Sequence, residues 1–181
     1  EEHVDPGTVI VDIQPANEID QEATVNIKPS TNYLEIINQI QTVSMEEKLD
    51  ITVDREHGTN TIVLKGSLPI NSDPITETLA VWEPTEFALE LFHQAIHDQG
   101  IKHLGKVKVG KAPENATPLA THSSKPLSDL IISFMKLSNN SYGEMFVKEM
   151  GKQISGDGSW ESGLDVMESA LQQLGMNTDT F

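Results

Sequence analysis

The hydrophobic period of this chain changes at Pro84, and that change limits the fold more than any other feature. Before it, β-branched residues cluster in short runs. Val9-Ile10-Val11-Asp12-Ile13 and Thr24-Val25-Asn26-Ile27 are separated by Pro15-Ala16-Asn17 and read as strands. Leu49 to Asp54 and Thr61 to Lys65 flank Glu56-His57-Gly58-Thr59-Asn60, a hairpin loop in which Gly58 supplies a positive-φ position. Gly66-Ser67-Leu68-Pro69 then interrupts the strand pattern.

After Pro84 the period becomes helical. Ala88, Leu91, Phe92, Ala95 and Ile96 share one helix face, with Pro84 near the start and Gly100 just past the end. Gly105 to Gly110 alternates as an edge strand would, and Lys111 to Thr117 is a loop. Leu127, Leu130, Ile131, Phe134 and Leu137 form a second stripe, with Pro126 in the first turn and Ser123 or Ser124 as N-cap. Tyr142, Met145, Phe146 and Met150 form a third, ended by Gly151. A last helix from about Trp160 to Leu174 turns Leu164, Met167, Leu171 and Leu174 inward and stops at Gly175. Strands followed by helices indicate an α/β or α+β unit rather than a bundle.

Composition narrows the function classes. Twelve basic residues face 28 acidic ones, a formal charge of −16, which repels a nucleic-acid backbone or an anionic membrane surface. Without cysteine there is no disulfide, thiolate metal site or cysteine nucleophile. No apolar run is long enough for a membrane-spanning segment, and no charged leader with an apolar core opens the chain.

Ser138-Asn139-Asn140 joins the second and third helical stripes. By pattern alone it is a helix connection, because Ser and Asn cap orphan backbone groups. Its surroundings say more. Pro118 to Gly151 (PLATHSSKPLSDLIISFMKLSNNSYGEMFVKEMG), Gly58 to Pro69 (GTNTIVLKGSLP), Leu79 to Ile101 and Gly156 to Gly175 together resemble the low-molecular-mass, class C penicillin-binding proteins. These are D-alanyl-D-alanine carboxypeptidases that can also act as endopeptidases. The resemblance implies an α+β fold. Residues 1–120 would be a β-rich accessory region (strands in 1–75, a helix and edge strand in 84–110). Residues 121–181 would be the helical part of a serine β-lactamase-like, penicillin-binding domain.

The resemblance also implies roles. Ser138 would join the serine–lysine network and help relay a proton to the leaving D-alanine amine. Asn140 would orient the substrate peptide group and the nucleophile's lysine through its donor and acceptor. Asn139, the variable middle residue, receives no role. Peptidoglycan stem peptides and β-lactams would be the ligands of the complete protein, with no cofactor or metal, at an extracytoplasmic, cell-wall location.

Two further motifs of that family, S-x-x-K and K-T-G, have no credible match here. Ser133-Phe134-Met135-Lys136 has the S-x-x-K spacing. On one unbroken helix, however, Ser133 and Ser138 differ by about 140° around the axis and about 7.5 Å along it, so they do not face one cleft. Ser133 and Lys136 also lie opposite the apolar stripe and are expected to be solvated, while Leu130, Ile131, Phe134, Met145 and Phe146 pack together. Lys65-Gly66-Ser67 has the wrong order for K-T-G, and Lys108-Val109-Gly110 lacks the hydroxyl. The expectation is that both motifs lie outside this segment and that the segment alone is inactive. The rival is a non-enzymatic surface-binding module of a bacterium, which the acidic, β-leaning first half would suit.

Three weaker signals have plain explanations. His93 and His97 stand at i, i+4 with Glu90 one turn earlier, but Gln94 occupies the place of the peptidase Glu, so a solvated face is expected. Asp157, Ser159, Glu161, Asp165 and Glu168 imitate a calcium loop, yet Ser162 stands where the sharp-turn glycine belongs. Helix capping accounts for them. Asn115-Ala116-Thr117 matches a glycosylation sequon, read as coincidence.

Overall fold

The computed structural model describes residues 7–111 and 113–178. It has an α+β architecture in two compact units, the first ending at Gly110 and the second beginning at Lys111.

In the first unit, β1 (Thr8–Gln14) runs antiparallel between β2 (Thr24–Lys28) and β6 (Ile75–Ala80). A second sheet places β5 (Thr61–Pro69) between β3 (Glu35–Val43), to which it is parallel, and β4 (Asp50–Arg55), to which it is antiparallel. Alternation turns Val9, Val11 and Ile13 of β1 inward, and Ile62, Leu64 and Leu68 of β5. These residues, Ile40 and Phe87 belong to one continuous core. The last comes from α1 (Pro84–Asp98).

Two strands, β3 and β6, are not evident in the sequence pattern. In β3 the inward positions alternate apolar and polar: Ile36, Asn38, Ile40, Thr42. The polar pair binds the backbone of the segment before β2. Asn38 Nδ2 donates to the Ala23 carbonyl at 2.7 Å, and Thr42 Oγ1 accepts from the Ala16 amide at 2.8 Å. Thr42 is fully buried. Thr42→Val is therefore expected to strand the Ala16 N–H and lower unfolding free energy by about 1–3 kcal/mol, measured by urea denaturation. An unchanged midpoint would refute that bond.

The other departures also have local causes. β5 continues through Gly66, with φ 124°, because a side chain there would place its Cβ 1.8 Å from the Asp50 carbonyl oxygen. Residues 105–110 form no strand; they run beside α1, with Val107 near Leu89 and His93. The buried face of α1 centres on Phe87, with Leu91 half-buried behind it, whereas Phe92 is 65% exposed.

Asp12 on β1 ties its sheet together. It accepts from Lys28 Nζ at 3.0 Å and Thr76 Oγ1 at 2.8 Å, from the strands on either side. The Lys28 contact foremost, then the Thr76 hydroxyl, holds its carboxyl below the ordinary value of 3.8. A depressed carboxylate contributes stability that is complete above the unfolded-state pKa and is lost as pH falls through the folded one. The difference in thermal midpoint between the native chain and Asp12→Asn should accordingly narrow as the pH falls from about 6 through and below the ordinary carboxylate range. A difference undiminished at the acid end would rule out the ion pair as its source.

The second unit is helical: α2 (Leu127–Leu137), α3 (Asn140–Ser155) and α4 (Trp160–Gln173). Pro126 is itself the N-cap of α2, and no side chain caps that end. α3 does not stop at Gly151 but runs to Ser155, with Gly156 in the left-handed conformation as its C-cap. Gly151 instead serves packing. It faces Gly163 of α4, where an added Cβ on Gly163 would lie 2.1 Å from the Val147 carbonyl oxygen.

Candidate active site

The Ser138 turn is built by its two helices. Phe134 of α2 stacks edge-to-face on Phe146 of α3 at 5.6 Å, and Tyr142 lies parallel to Phe146 at 6.1 Å. Gly143 makes room for this, since a Cβ there would be 3.3 Å from Phe134 Cε2. The expected cluster is only partly present. Leu130, Phe134 and Phe146 are half-buried, but Ile131 and Met145 are 42% and 54% exposed. No residue of α2 is fully buried, because a short helix against one neighbour covers only part of its stripe. Ser133 is half-buried rather than exposed, and Lys136 is exposed.

At the turn, Ser138 adopts φ 51°, ψ 43°, and its amide closes α2 by donating to the Phe134 carbonyl. A non-glycine residue in this region is strained on the order of 1 kcal/mol. Asn139 then begins α3: its Oδ1 accepts from the Tyr142 amide at 3.1 Å. The middle residue thus performs the capping that composition suggested for the whole tripeptide. Ser138 and Asn140 are both exposed. Among the described residues, neither the Ser138 hydroxyl nor the Asn140 amide group has a hydrogen-bond partner. A hydroxyl and an amide, both neutral and directional, are thus exposed at one helix junction.

The weaker signals separate. His93 is half-buried with its ring edge-to-face on His103 at 5.4 Å, so it is not part of a solvated pair, whereas His97 is exposed. Asp157 accepts from the Ser159 amide and hydroxyl at 3.1 and 2.9 Å, and Ser159 Oγ caps α4 by accepting from the Ser162 amide. That is the helix-start arrangement. Among the described residues no group of three or more acidic or histidine side chains converges as a metal ion would need. No helix among them is long and apolar enough to cross a membrane.

The D-Ala-D-Ala carboxypeptidase 3 (S13) family matches residues 2–181. A D-alanyl-D-alanine carboxypeptidase of Actinomadura sp. is 37% identical over 180 residues, covering 98% of this chain and 33% of that protein. D-alanyl-D-alanine carboxypeptidase DacB of Haemophilus influenzae is 27% identical over 153 residues, 82% of this chain and 31% of that protein. The crystal structure of penicillin binding protein 4 (dacB) from Haemophilus influenzae is similar with a TM-score of 0.72 at 20% identity, over 94% of this chain and 38% of that one. Its complex with a β-lactam gives a TM-score of 0.66 at 23% identity, over 94% of this chain and 40% of that one. The chain spans about a third of the length of the curated relatives it matches.

Proposed function

Since this chain belongs to the D-Ala-D-Ala carboxypeptidase 3 (S13) family, we propose that it supplies the accessory region and the S-x-N wall of a serine-type D-alanyl-D-alanine carboxypeptidase. The complete enzyme hydrolyses the terminal D-Ala-D-Ala bond of peptidoglycan stem peptides outside the cytoplasm, at the cell wall. A serine from another part of the polypeptide attacks the penultimate carbonyl and forms an acyl-enzyme while free D-alanine leaves; water then releases the shortened peptide. β-Lactams acylate the same serine.

In this reading Ser138 and Asn140 line the cleft opposite the nucleophile. The Ser138 hydroxyl both accepts and donates, so it can pass a proton from the serine–lysine pair to the departing amine. Asn140 accepts from one peptide N–H or ammonium and donates to one carbonyl, which fixes the substrate relative to the attacking oxygen. The observation that carries this assignment is the division of labour at the turn. Asn139 alone caps α3, leaving the hydroxyl and the amide on either side uncommitted.

The test is labelling by a fluorescent penicillin together with D-alanine release. The full-length protein should do both, and residues 1–181 alone should do neither, because catalysis needs a nucleophile that this segment lacks. Stoichiometric labelling of the segment at Ser133 would overturn the reading. Failure of the full-length protein to release D-alanine would favour the surface-binding module.

A further inference from the structure

The strand pattern of β4 ends in an oddity. Ile51, Val53 and Arg55 are its half-buried positions, so the row that packs Ile51 and Val53 against the core terminates in a guanidinium. Arg55 is the sole arginine of a chain with 28 acidic residues. Among the described residues it nevertheless forms no ion pair and no side-chain hydrogen bond. Neighbouring Asp54, on the opposite face by strand alternation, is already taken by Lys65 at 3.1 Å.

Arg55 lines an open cleft of about 610 Å³ together with Val53, His57 and the stretch from Leu79 to Trp82. The Trp82 backbone is pinned by side chains. Asn60 clamps it from both sides, Nδ2 to the carbonyl at 3.1 Å and Oδ1 from the amide at 2.8 Å, and the Tyr33 hydroxyl is shared between that carbonyl at 3.2 Å and the Glu83 carbonyl at 3.1 Å. The His57 ring stands edge-on to the indole at 5.0 Å. These contacts anchor the Trp82 end of the cleft, which lowers the cost of ordering that end on binding. The cleft is also bordered by β4 and β6, each the outermost strand of its sheet. Outer strands carry backbone groups that an extended peptide can pair with.

We infer that this cleft binds the C-terminal carboxylate of a short, extended peptide with small aliphatic side chains. The Arg55 guanidinium receives the carboxylate through its planar fork. The half-buried Val53 and Leu79 accept the aliphatic groups, and Trp82 with His57 forms the aromatic wall. The inference does not depend on the assignment of Ser138 and Asn140.

The test uses the full chain carrying Trp160→Phe, which leaves Trp82 as the only indole of the two. N-acetyl-alanyl-alanine, its C-terminal carboxamide and N-acetylmuramic acid are titrated against indole emission. The free acid should give a saturable change. The carboxamide should bind roughly tenfold more weakly or worse, as should the free acid to Arg55→Gln. Lys65→Gln, which removes equal charge from the same sheet, should bind normally. Arg55→Lys keeps charge without the fork and serves if Arg55→Gln does not fold; it too should lose affinity several-fold. An absence of saturation, equal binding of the carboxamide, or undiminished binding by the Arg55 variants would overturn the inference. The last result, with lowered solubility, would make Arg55 an edge-strand guard. Tighter binding of N-acetylmuramic acid than of the dipeptide would reassign the cleft to a saccharide.

Discussion

If the complete protein is the carboxypeptidase proposed above, Ser138→Ala is expected to reduce its D-alanine release by roughly two to four orders of magnitude, the usual scale for losing a proton-transfer partner. Asn140→Ala should lower the acylation rate and raise KM together, since an orienting group is lost from both the ground and transition states. Neither change should lower stability, because both side chains are exposed and bonded to nothing among the described residues. Asn139→Ala should do the reverse. It removes the Oδ1 cap on the Tyr142 amide, at about 1 kcal/mol of stability, with turnover near normal under conditions where the variant stays folded. D-alanine release and thermal midpoint measured on the same three purified variants distinguish a catalytic turn from a purely structural one. Intact turnover in Ser138→Ala or Asn140→Ala would sink the catalytic assignment.

Gly163→Ala should be the most damaging single-methyl change in the helical unit. On an isolated helix, alanine is better than glycine by about 1 kcal/mol, so propensity predicts a gain. Geometry predicts a loss. The new Cβ would stand 2.1 Å from the Val147 carbonyl oxygen and 2.8 Å from its Cγ1, and neither that backbone nor the facing Gly151 can yield without separating α3 from α4. Overpacking commonly costs about 1–3 kcal/mol, and a clash with backbone belongs at the upper end, so the net change is a destabilisation of about 2 kcal/mol or more. Urea denaturation followed by helical circular dichroism measures it. A more stable variant would mean that the two helices do not meet backbone to backbone at this crossing.

Much of the architecture is visible in the residues because local periodicity and burial point the same way. The alternation of Val9, Val11 and Ile13 and the hairpin around Gly58 are examples; each is satisfied by neighbours close in sequence or by one buried face. β3 was not legible for the opposite reason. Its inward Asn38 and Thr42 are polar, and only the backbone of residues 16–23, folded against them, makes those choices sensible. Gly66 and Gly151 look like chain-breakers in one dimension, yet both lie inside regular elements, since a glycine also suits a place where another backbone passes too near for a side chain. Likewise, the helical stripe of α2 reveals its apolar residues but not how many of them a partner covers.

The Ser138 turn divides in the same way. Sequence alone determined that two helices meet there and that polar capping residues join them; the chemical roles proposed for Ser138 and Asn140 come from resemblance. Only the tertiary structure decided which residue caps. A cap requires φ and ψ that aim a side-chain oxygen at an amide three residues on, and Asn139 has that geometry while Ser138, at φ 51°, closes the preceding helix with its backbone. Composition cannot separate three adjacent polar residues, because each is able to hydrogen-bond; the backbone directions of the two helices leave the Asn139 side chain bonded and, among the described residues, the other two side chains without a partner.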